Sequence, residues 1–232
     1  MINIDSYAKV QSIAKNTLNE LSNLIISGIS ENELVNNCKS ILKNYGIDKT
    51  WYYDALVMVS IGEKTRQSIS GRKYIPSTDR VKEQDFVTIV LSPDLYGYWG
   101  AFAQGFLIVN GKIDKSYNVK NPLVREGHQL ENRLHHELLT YATPLITFED
   151  IYIYFNKLIK EAGFKNLDAN ESLGQSIEKN MSDRKFITYG NKITLQEVKI
   201  FAFDTHLGKE SYIWGHRKEN IYFFEGNQLK EL

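Results

Sequence analysis

Histidine and arginine side chains in three segments of the chain could carry out acid/base chemistry or bind an anion. His135 lies in RLHHELLTYATP, His206 in FDTHLG, and His216 and Arg217 in GHRKEN. Imidazole titrates near neutral pH, so it can act as a general acid or base. The guanidinium of Arg217 could hold a carboxylate bidentately. The alternative is an ordinary position for each histidine: a half-exposed helix face for His135 and solvated loops for His206 and His216.

One stretch is built like a metal-site hairpin but lacks the acidic side chains that such a site needs. FVTIVLSPDLYGYWGAFAQGF, residues 86–106, reads as two strands joined by a turn. Pro93 suits the turn, and Gly97 and Gly100 suit positions of positive φ. We therefore expect the hairpin to form, although no carboxylate stands at either place where a metal ligand is expected. The protein has either lost a reaction or performs one without a metal.

The elements that position these residues occur twice in the sequence. In LIISGISENELVNNCKSILKNYGI, Ser30 can cap a helix, Glu33 completes a capping box, and a glycine closes the helix. In ATPLITFEDIYIYFNKLIKEAGF, Thr147 and Asp150 take the same places. The two caps lie 117 positions apart, and so do the two closing glycines. One structural unit is therefore predicted to occur twice.

A long amphipathic helix precedes each copy, at about residues 7–26 and 123–141, and β-rich sequence follows each copy. Two helix–helix–strand halves predict a mostly antiparallel sheet with helices on one side, which is an α+β fold. No low-complexity linker interrupts the chain, so a single domain over residues 1–232 is expected. NGKIDKSYNVKNP, residues 110–122, is the best candidate for the connection between the halves.

Composition argues against several classes of partner. Lys plus Arg and Asp plus Glu both number 28, so no global field attracts nucleic acid or an acidic membrane. No apolar run approaches the roughly 20 residues of a membrane span, and MINIDSYAKVQ lacks the apolar segment of a signal peptide. Cys38 is the only cysteine, so no intrachain disulfide can form. We expect a cytoplasmic protein without nucleic-acid or membrane partners.

The order of elements and the later motifs resemble the creatinase/methionine aminopeptidase family, whose members have the pita-bread fold. The family reads a strand ending in Asp, a turn with GYxGD, then GH(S/G)xG, a strand ending in EP, and GxRxED. The corresponding stretches here are TIVLSP, GYWGAFAQGF, NESLGQS, AFDTHL and GHRKEN. The resemblance covers nearly the whole chain. It implies a pita-bread fold made of duplicated helix–helix–strand halves around a mostly antiparallel sheet.

The resemblance also implies a degenerate metal site. In the family, about five carboxylate and imidazole ligands hold two divalent cations that polarise a carbonyl and deprotonate a bridging water. The two aspartates match Val90 and Ala101, the histidine matches Glu171, and the two glutamates match Asp204 and Glu219. Val90 and Ala101 cannot ligate a cation. No metal and no other cofactor is expected, although Asp204, Glu219 and Glu171 stay open as ligands of a single cation.

Two functional hypotheses follow from the resemblance. Creatinase hydrolyses a C–N bond without a metal, uses a histidine nine residues ahead of a proline, and has an alanine in its hairpin, as His135, Pro144 and Ala101 are placed here. The first hypothesis is therefore a metal-independent hydrolase or lyase acting on a small C–N-containing substrate, with His135, Glu171 and Glu219 as catalytic residues. The second is a catalytically inactive pseudopeptidase that binds a small molecule, a peptide or a protein.

Under either hypothesis, the ligand is expected to bind among aromatic and polar side chains in segments that this fold places around its cleft. An aromatic-lined pocket with few charges suits an apolar or planar ligand, whereas the same aromatic residues could equally belong to the core and the sheet surface. The expected binding residues are Tyr98, Trp99, Asp204, His206, Trp214 and Arg217. Members of the family often pair, so a homodimer stays open.

Overall fold

The computed structural model describes residues 3–116 and 122–232, which divide into two compact units. The first unit comprises residues 3–65 and 69–116, and the second comprises residues 66–68 and 122–232. Part of the predicted connection between the halves, residues 117–121, lies outside the described residues. The single domain over residues 1–232 stays a prediction. No helix within the described ranges has both the length and the apolar character needed to cross a bilayer.

The first unit contains two helices followed by strands. Its elements are α1 (Ile4–Leu21), α2 (Glu31–Asn44), β1 (Lys49–Thr50), β2 (Val57–Ile61), β3 (Gln84–Leu91), β4 (Pro93–Leu95), β5 (Tyr98–Trp99), β6 (Phe102–Val109) and β7 (Lys112–Ile113). The strands β2, β3, β6 and β7 pair in that order, and β4 pairs with both β1 and β5; every pairing is antiparallel.

The second unit repeats this order. Its elements are α3 (Pro122–Tyr141), α4 (Phe148–Glu161), β8 (Lys165–Asn166), β9 (Gly174–Ser176), α5 (Leu195–Val198), β10 (Ile200–Gly208), β11 (Gly215–Glu225) and β12 (Gln228–Glu231). The strand β10 pairs antiparallel with β11, β8 and β9, and β11 also pairs with β12.

Short 3₁₀ turns occur along the whole chain, at Ser22–Leu24, Gly62–Arg66 and Met181–Asp183.

Local hydrogen bonds confirm the predicted duplication. Ser30 and Thr147 each cap their helix, and each forms a complete capping box with the acidic residue three positions later. The closing glycines, Gly46 and Gly163, have φ values of +81° and +76°, which L-residues with a side chain rarely adopt. The same capped helix with the same end is therefore formed in each unit.

The helix α1 is shifted from its predicted position at residues 7–26. It begins at Ile4, because the Asn3 side chain accepts a hydrogen bond from the Ser6 N–H. It ends at Leu21, where a 3₁₀ turn begins, and Ile25 is extended and buried. Packing of Ile25 in the core thus ends the helix before the apolar pattern does.

The hairpin between β4 and β5 forms as predicted, but only one of its two glycines has a positive φ. Tyr96 and Gly97 have φ values of +57° and +83°, as in the two-residue turns that join antiparallel strands. The prediction is wrong for Gly100, whose φ is not in the left-handed region. Glycine is required there because a Cβ would lie 2.8 Å from Pro93 Cγ.

In the second unit, β10 presents alternate residues to the two faces of the sheet. Phe201, Phe203 and Leu207 are fully buried in one apolar core with side chains of α3 and α4. Because successive strand residues point to opposite faces, Asp204 points away from these helices. Glu219 lies directly opposite Asp204 in the β10–β11 register, so both carboxylates belong to the face that the helices leave uncovered.

Candidate functional site

In the first unit, both residues matched to metal-binding aspartates are buried among apolar or amide groups. Val90 packs with Ala55, Met58 and Ala103. Ala101 is fully buried, and its backbone N–H and C=O exchange hydrogen bonds of 3.0 and 2.7 Å with the side-chain amide of Gln11. The first unit therefore offers no oxygen ligand at either of these positions.

The aromatic residues predicted to bind a ligand pack against other aromatic side chains of the protein. Trp99 is buried and stacks on Trp51, with ring centroids 4.9 Å apart. The Trp51 indole N–H donates to the Gly100 carbonyl over 2.7 Å. Tyr98 is half-buried and meets the ring of Tyr7 edge-on at 5.1 Å. Trp51 and Trp99 therefore stabilise the first unit, and Tyr98 keeps part of its surface exposed.

In the second unit, Asp204 and Arg217 form a bidentate ion pair. Arg217 Nε lies 3.0 Å from Asp204 Oδ1, and Arg217 Nη2 lies 2.6 Å from Oδ2. Burial lowers the pKa of the Arg217 guanidinium, but the Asp204 charge and its hydrogen bonds outweigh this and raise the pKa overall. Both planar groups are half-buried and fully matched, which is the strongest arrangement for this type of pair.

Glu219 is a buried carboxyl next to this pair. Burial raises the pKa of Glu219, and the Asp204 charge raises it further against the opposing effects of Arg217 and Arg184. Arg184 is itself held by a 2.7 Å hydrogen bond from Nη1 to Gln175 Oε1 on β9. A buried carboxyl with a raised pKa is therefore combined with the Asp204 carboxylate and two guanidinium groups.

Sequence reasoning missed Arg184 and Gln175. Gln175 lies inside the matched stretch NESLGQS, in which only Glu171 was predicted as a site residue because it matches the family's histidine. Arg184 belongs to MSDRKF, which has no motif. The hydrogen bond between these two residues depends on the segment after β9 folding back onto that strand, where Phe186 forms a bridge with Gln175, so composition and spacing give no signal for it.

His135 lies on the other face of the second unit's sheet. It is 2% exposed, and its ring packs against Phe203 at 5.0 Å. Its Nε2 lies 3.1 Å from the Lys218 carbonyl, and its Nδ1 lies 2.7 Å from the Tyr222 hydroxyl. Because a carbonyl only accepts, the neutral ring carries its proton on Nε2 and accepts from Tyr222 at Nδ1.

This environment makes His135 a weak base. Burial, with a smaller contribution from the Lys218 charge, lowers its pKa to about 3. The alternative of a half-exposed position on the helix is wrong, because the ring is buried. The structure does not bring His135 to Asp204 and Glu219, which point to the opposite face. Its catalytic role stays a prediction that this geometry does not favour.

The other two histidines that were singled out in the sequence, His206 and His216, are also buried, so the alternative of solvated loops is wrong for both. His206 lies on β10 opposite Arg217 in the register, and His216 lies on β11. The His216 ring is so close to α3 that a Cβ at Gly127 would lie 2.4 Å from its Nε2. Trp214 is half-buried in the loop between these strands and meets Tyr212 edge-on.

Glu171 lies in the segment between β8 and β9. It is exposed, has a φ of +53°, and accepts a 3.1 Å hydrogen bond from the Tyr152 hydroxyl. Within residues 3–116 and 122–232, no group of three or more His, Cys, Asp or Glu side chains is arranged to hold a metal ion. Glu171, Asp204 and Glu219 are therefore not assembled as ligands of a single cation.

Comparison with known proteins identifies the family. The sequence matches the model of metallopeptidase family M24 over residues 5–226. No curated protein sequence matches the chain. The family match agrees with the resemblance seen in the sequence.

Solved structures confirm the pita-bread fold. The prolidase of Pyrococcus furiosus is 19% identical with a TM-score of 0.80, and the match covers 98% of this chain and 60% of that one. The X-Pro aminopeptidase of Thermotoga maritima MSB8 is 17% identical with a TM-score of 0.79, and the match covers 98% of this chain and 60% of that one. The methionine aminopeptidase of Rickettsia prowazekii is 13% identical with a TM-score of 0.75, and the match covers 98% of this chain and 95% of that one. The chain thus spans about 60% of the first two proteins, and identities this low establish the fold alone.

Proposed function

The chain belongs to metallopeptidase family M24. We propose that this protein is a ligand-binding module that does not catalyse the reaction for which the family uses two metal ions. The observation that carries the proposal is the bidentate pair of Asp204 and Arg217. A carboxylate matched to a metal-ligand position is bound by a guanidinium of the same chain. Arg217 thereby supplies the positive charge that would otherwise come from a cation.

The residues of this chain do not fit the two metal ions that the family implies. The side chains of Val90 and Ala101 contain only carbon, and both are buried. A cation at Asp204 would have to break the hydrogen bonds of 3.0 and 2.6 Å to Arg217, and it would then face a fixed positive charge. Divalent cations bind where several oxygen ligands outweigh this kind of repulsion, and the described residues contain no such group.

The second unit offers polar groups that suit a small-molecule or peptide ligand. Glu219 has a raised pKa, so a protonated carboxyl can donate a hydrogen bond. The Arg184 guanidinium, which donates to Gln175 and to the Met181 carbonyl, adds a positive charge that acts on Glu219. A ligand with acceptor atoms, such as a carboxylate or an amide carbonyl, matches this donor and this charge.

Metal titration tests the proposal. Calorimetry and thermal unfolding with Mn²⁺, Co²⁺ and Zn²⁺ should reveal no saturable site at micromolar metal, and Ala-Pro and Met-Ala should not be hydrolysed. An active prolidase assayed in parallel is the control. A metal-dependent rise in Tm of several degrees at micromolar concentration, or metal-dependent hydrolysis, would contradict it.

A metal-independent enzyme is the second candidate, and the pairing of Glu219 with Asp204 favours it. A buried carboxyl with a raised pKa beside a second carboxyl is a recurring acid/base arrangement. Water would attack the carbon of a small C–N-containing substrate and form a C–O bond, the C–N bond would break as Glu219 donates its proton to the leaving nitrogen, and the proton lost by the water would return to the Glu219 carboxylate. Glu219→Gln would then abolish turnover and leave Tm within a few degrees of the parent. Full activity in that variant would exclude Glu219 as the acid.

A further inference from the structure

A groove between α3 and α4 has the shape of a binding site. It lies on the helix side of the second unit, whereas Asp204 and Glu219 lie on the opposite face of the sheet. Two adjoining depressions of about 340 and 380 Å³ occupy it, and Arg133 and Ala162 line both. The first depression is completed by Glu126, Gln129, Leu130 and Phe164.

The duplication gives an internal reference for this groove. Ala162 lies 117 positions after Tyr45, and both residues cap the C-terminus of their helix with nearly the same backbone conformation. In the first unit, the Tyr45 hydroxyl donates a hydrogen bond to Glu20 of the preceding helix. The first unit thus carries an aromatic ring where the second unit has only a methyl group.

In the second unit, no ring is needed above Ala162 to donate a hydrogen bond to Glu137. Glu137 is the counterpart of Glu20, and it already accepts a 2.8 Å hydrogen bond from the Tyr154 hydroxyl. Tyr154 in turn stacks on Tyr141 with ring centroids 4.0 Å apart. The second unit therefore keeps the glutamate–tyrosine bond with a different tyrosine and leaves ring-sized space above Ala162.

The charges around the first depression favour an anion. Glu126 is neutralised by Lys209, whose Nζ lies 3.0 Å from its carboxylate and 5.2 Å from the centroid of the Phe164 ring. Arg133 is exposed, and no ion pair or hydrogen bond of its side chain occurs in the part of the chain that the structure describes. Glu126 and Lys209 offset each other, which leaves Arg133 as the net charge of the first depression, whereas Glu137 and Glu161 lie in the second depression.

We propose that this depression binds an aromatic carboxylate, with its ring on Leu130, Ala162 and Phe164 and its carboxylate on Arg133. The ring packs beside Ala162, which is the counterpart of Tyr45 in the first unit. The carboxylate forms the bidentate pair that a guanidinium prefers. A free aromatic acid and the C-terminal phenylalanine of a peptide share this chemistry.

Titrations followed by ¹⁵N–¹H NMR of the full chain test the site. The probes are 3-phenylpropionate, acetyl-Ala-Ala-Phe, and 2-phenylethylamine, which has a similar ring with the opposite charge. Shift changes at Leu130, Arg133, Ala162 and Phe164 are expected with at least one carboxylate probe. The amine should bind at least tenfold more weakly. The better of the two carboxylates identifies the source of the ligand.

Two variants and a control separate this site from non-specific binding. Ala162→Tyr adds the ring that Tyr45 supplies in the first unit and should reduce binding at least tenfold. Arg133→Gln should do the same without filling the space. Asn19→Tyr adds an equal ring at an exposed position of α1 and should leave binding unchanged.

Several outcomes would overturn the proposal. They are no saturable binding of either carboxylate, equal binding of the amine, or binding by Arg133→Gln within twofold of the parent protein. Arg133 is exposed, so that variant remains informative even if Ala162→Tyr fails to fold. None of these results depends on Asp204, Glu219 or metal ions. The metal titration above can therefore fail independently of this one.

Discussion

Burial of His135 predicts a measurable pH dependence of stability. Its pKa is about 3 in the folded protein and 6.5 in an unfolded chain. Between these values the unfolded chain binds more protons than the folded one, so acidification favours unfolding. Each pH unit in this range costs about 1.4 kcal/mol. The loss from this residue is therefore about 2 kcal/mol at pH 5 and approaches roughly 5 kcal/mol below pH 3.

Urea unfolding of the parent protein and of His135→Gln at pH 7 and pH 5 measures this contribution. Glutamine does not titrate, so the stability advantage of the parent over the variant should shrink by about 2 kcal/mol between the two pH values. Comparing the two proteins is necessary because Glu219 acts in the opposite direction. Its raised pKa means that the folded state binds more protons above pH 4.5, so its contribution falls as pH rises.

A stability difference that is the same at both pH values would refute this reasoning. It would mean that His135 has an ordinary pKa in the folded protein and is accessible to water. Such a histidine would again be a candidate acid or base. The experiment therefore also discriminates between a core residue and the catalytic residue predicted from the sequence.

Three further sets of substitutions test other features of the structure. Arg217→Met should lower the free energy of unfolding by about 3 kcal/mol because it leaves the Asp204 carboxylate unpaired, and adding Asp204→Leu should recover most of it; equal loss in both variants by urea unfolding would argue against a stabilising pair. Tyr96→Asn should raise Tm, with a gain of about 1 kcal/mol, because asparagine tolerates the φ of +57° better than an exposed tyrosine does; a lower Tm would indicate that the ring stabilises the turn. Ser30→Ala and Thr147→Ala should each cost about 1 kcal/mol by thermal unfolding, and no change in either would remove that capping box as a stabilising contact.

Local features could be predicted from the sequence because they depend on neighbouring residues. Both capping boxes and both closing glycines involve side chains within about one or two helix lengths, and the structure contains all of them. The hairpin turn at Gly97 was predictable for the same reason. Gly100 was not, because its requirement for glycine comes from the ring of Pro93, seven residues away in the sequence and across the hairpin.

The candidate site was predictable only in part. The stretches AFDTHL and GHRKEN mark Asp204, Arg217 and Glu219 as relevant residues. Their pairing depends on the β10–β11 register, which sets Glu219 opposite Asp204 and lets Arg217 reach across to it. The contribution of Arg184 depends on a loop that returns to β9, and no spacing rule predicts that contact.

The sequence by itself determined the duplicated α+β architecture, the capped helices and the loss of two oxygen ligands, because these follow from residue type and short-range spacing. Only the tertiary structure decided which groups meet. It buried His135 on one face of the sheet, paired Asp204 with Arg217 on the other, and left space above Ala162 between α3 and α4. The physical reason is that the pKa and accessibility of a group depend on burial and on charges distant in sequence.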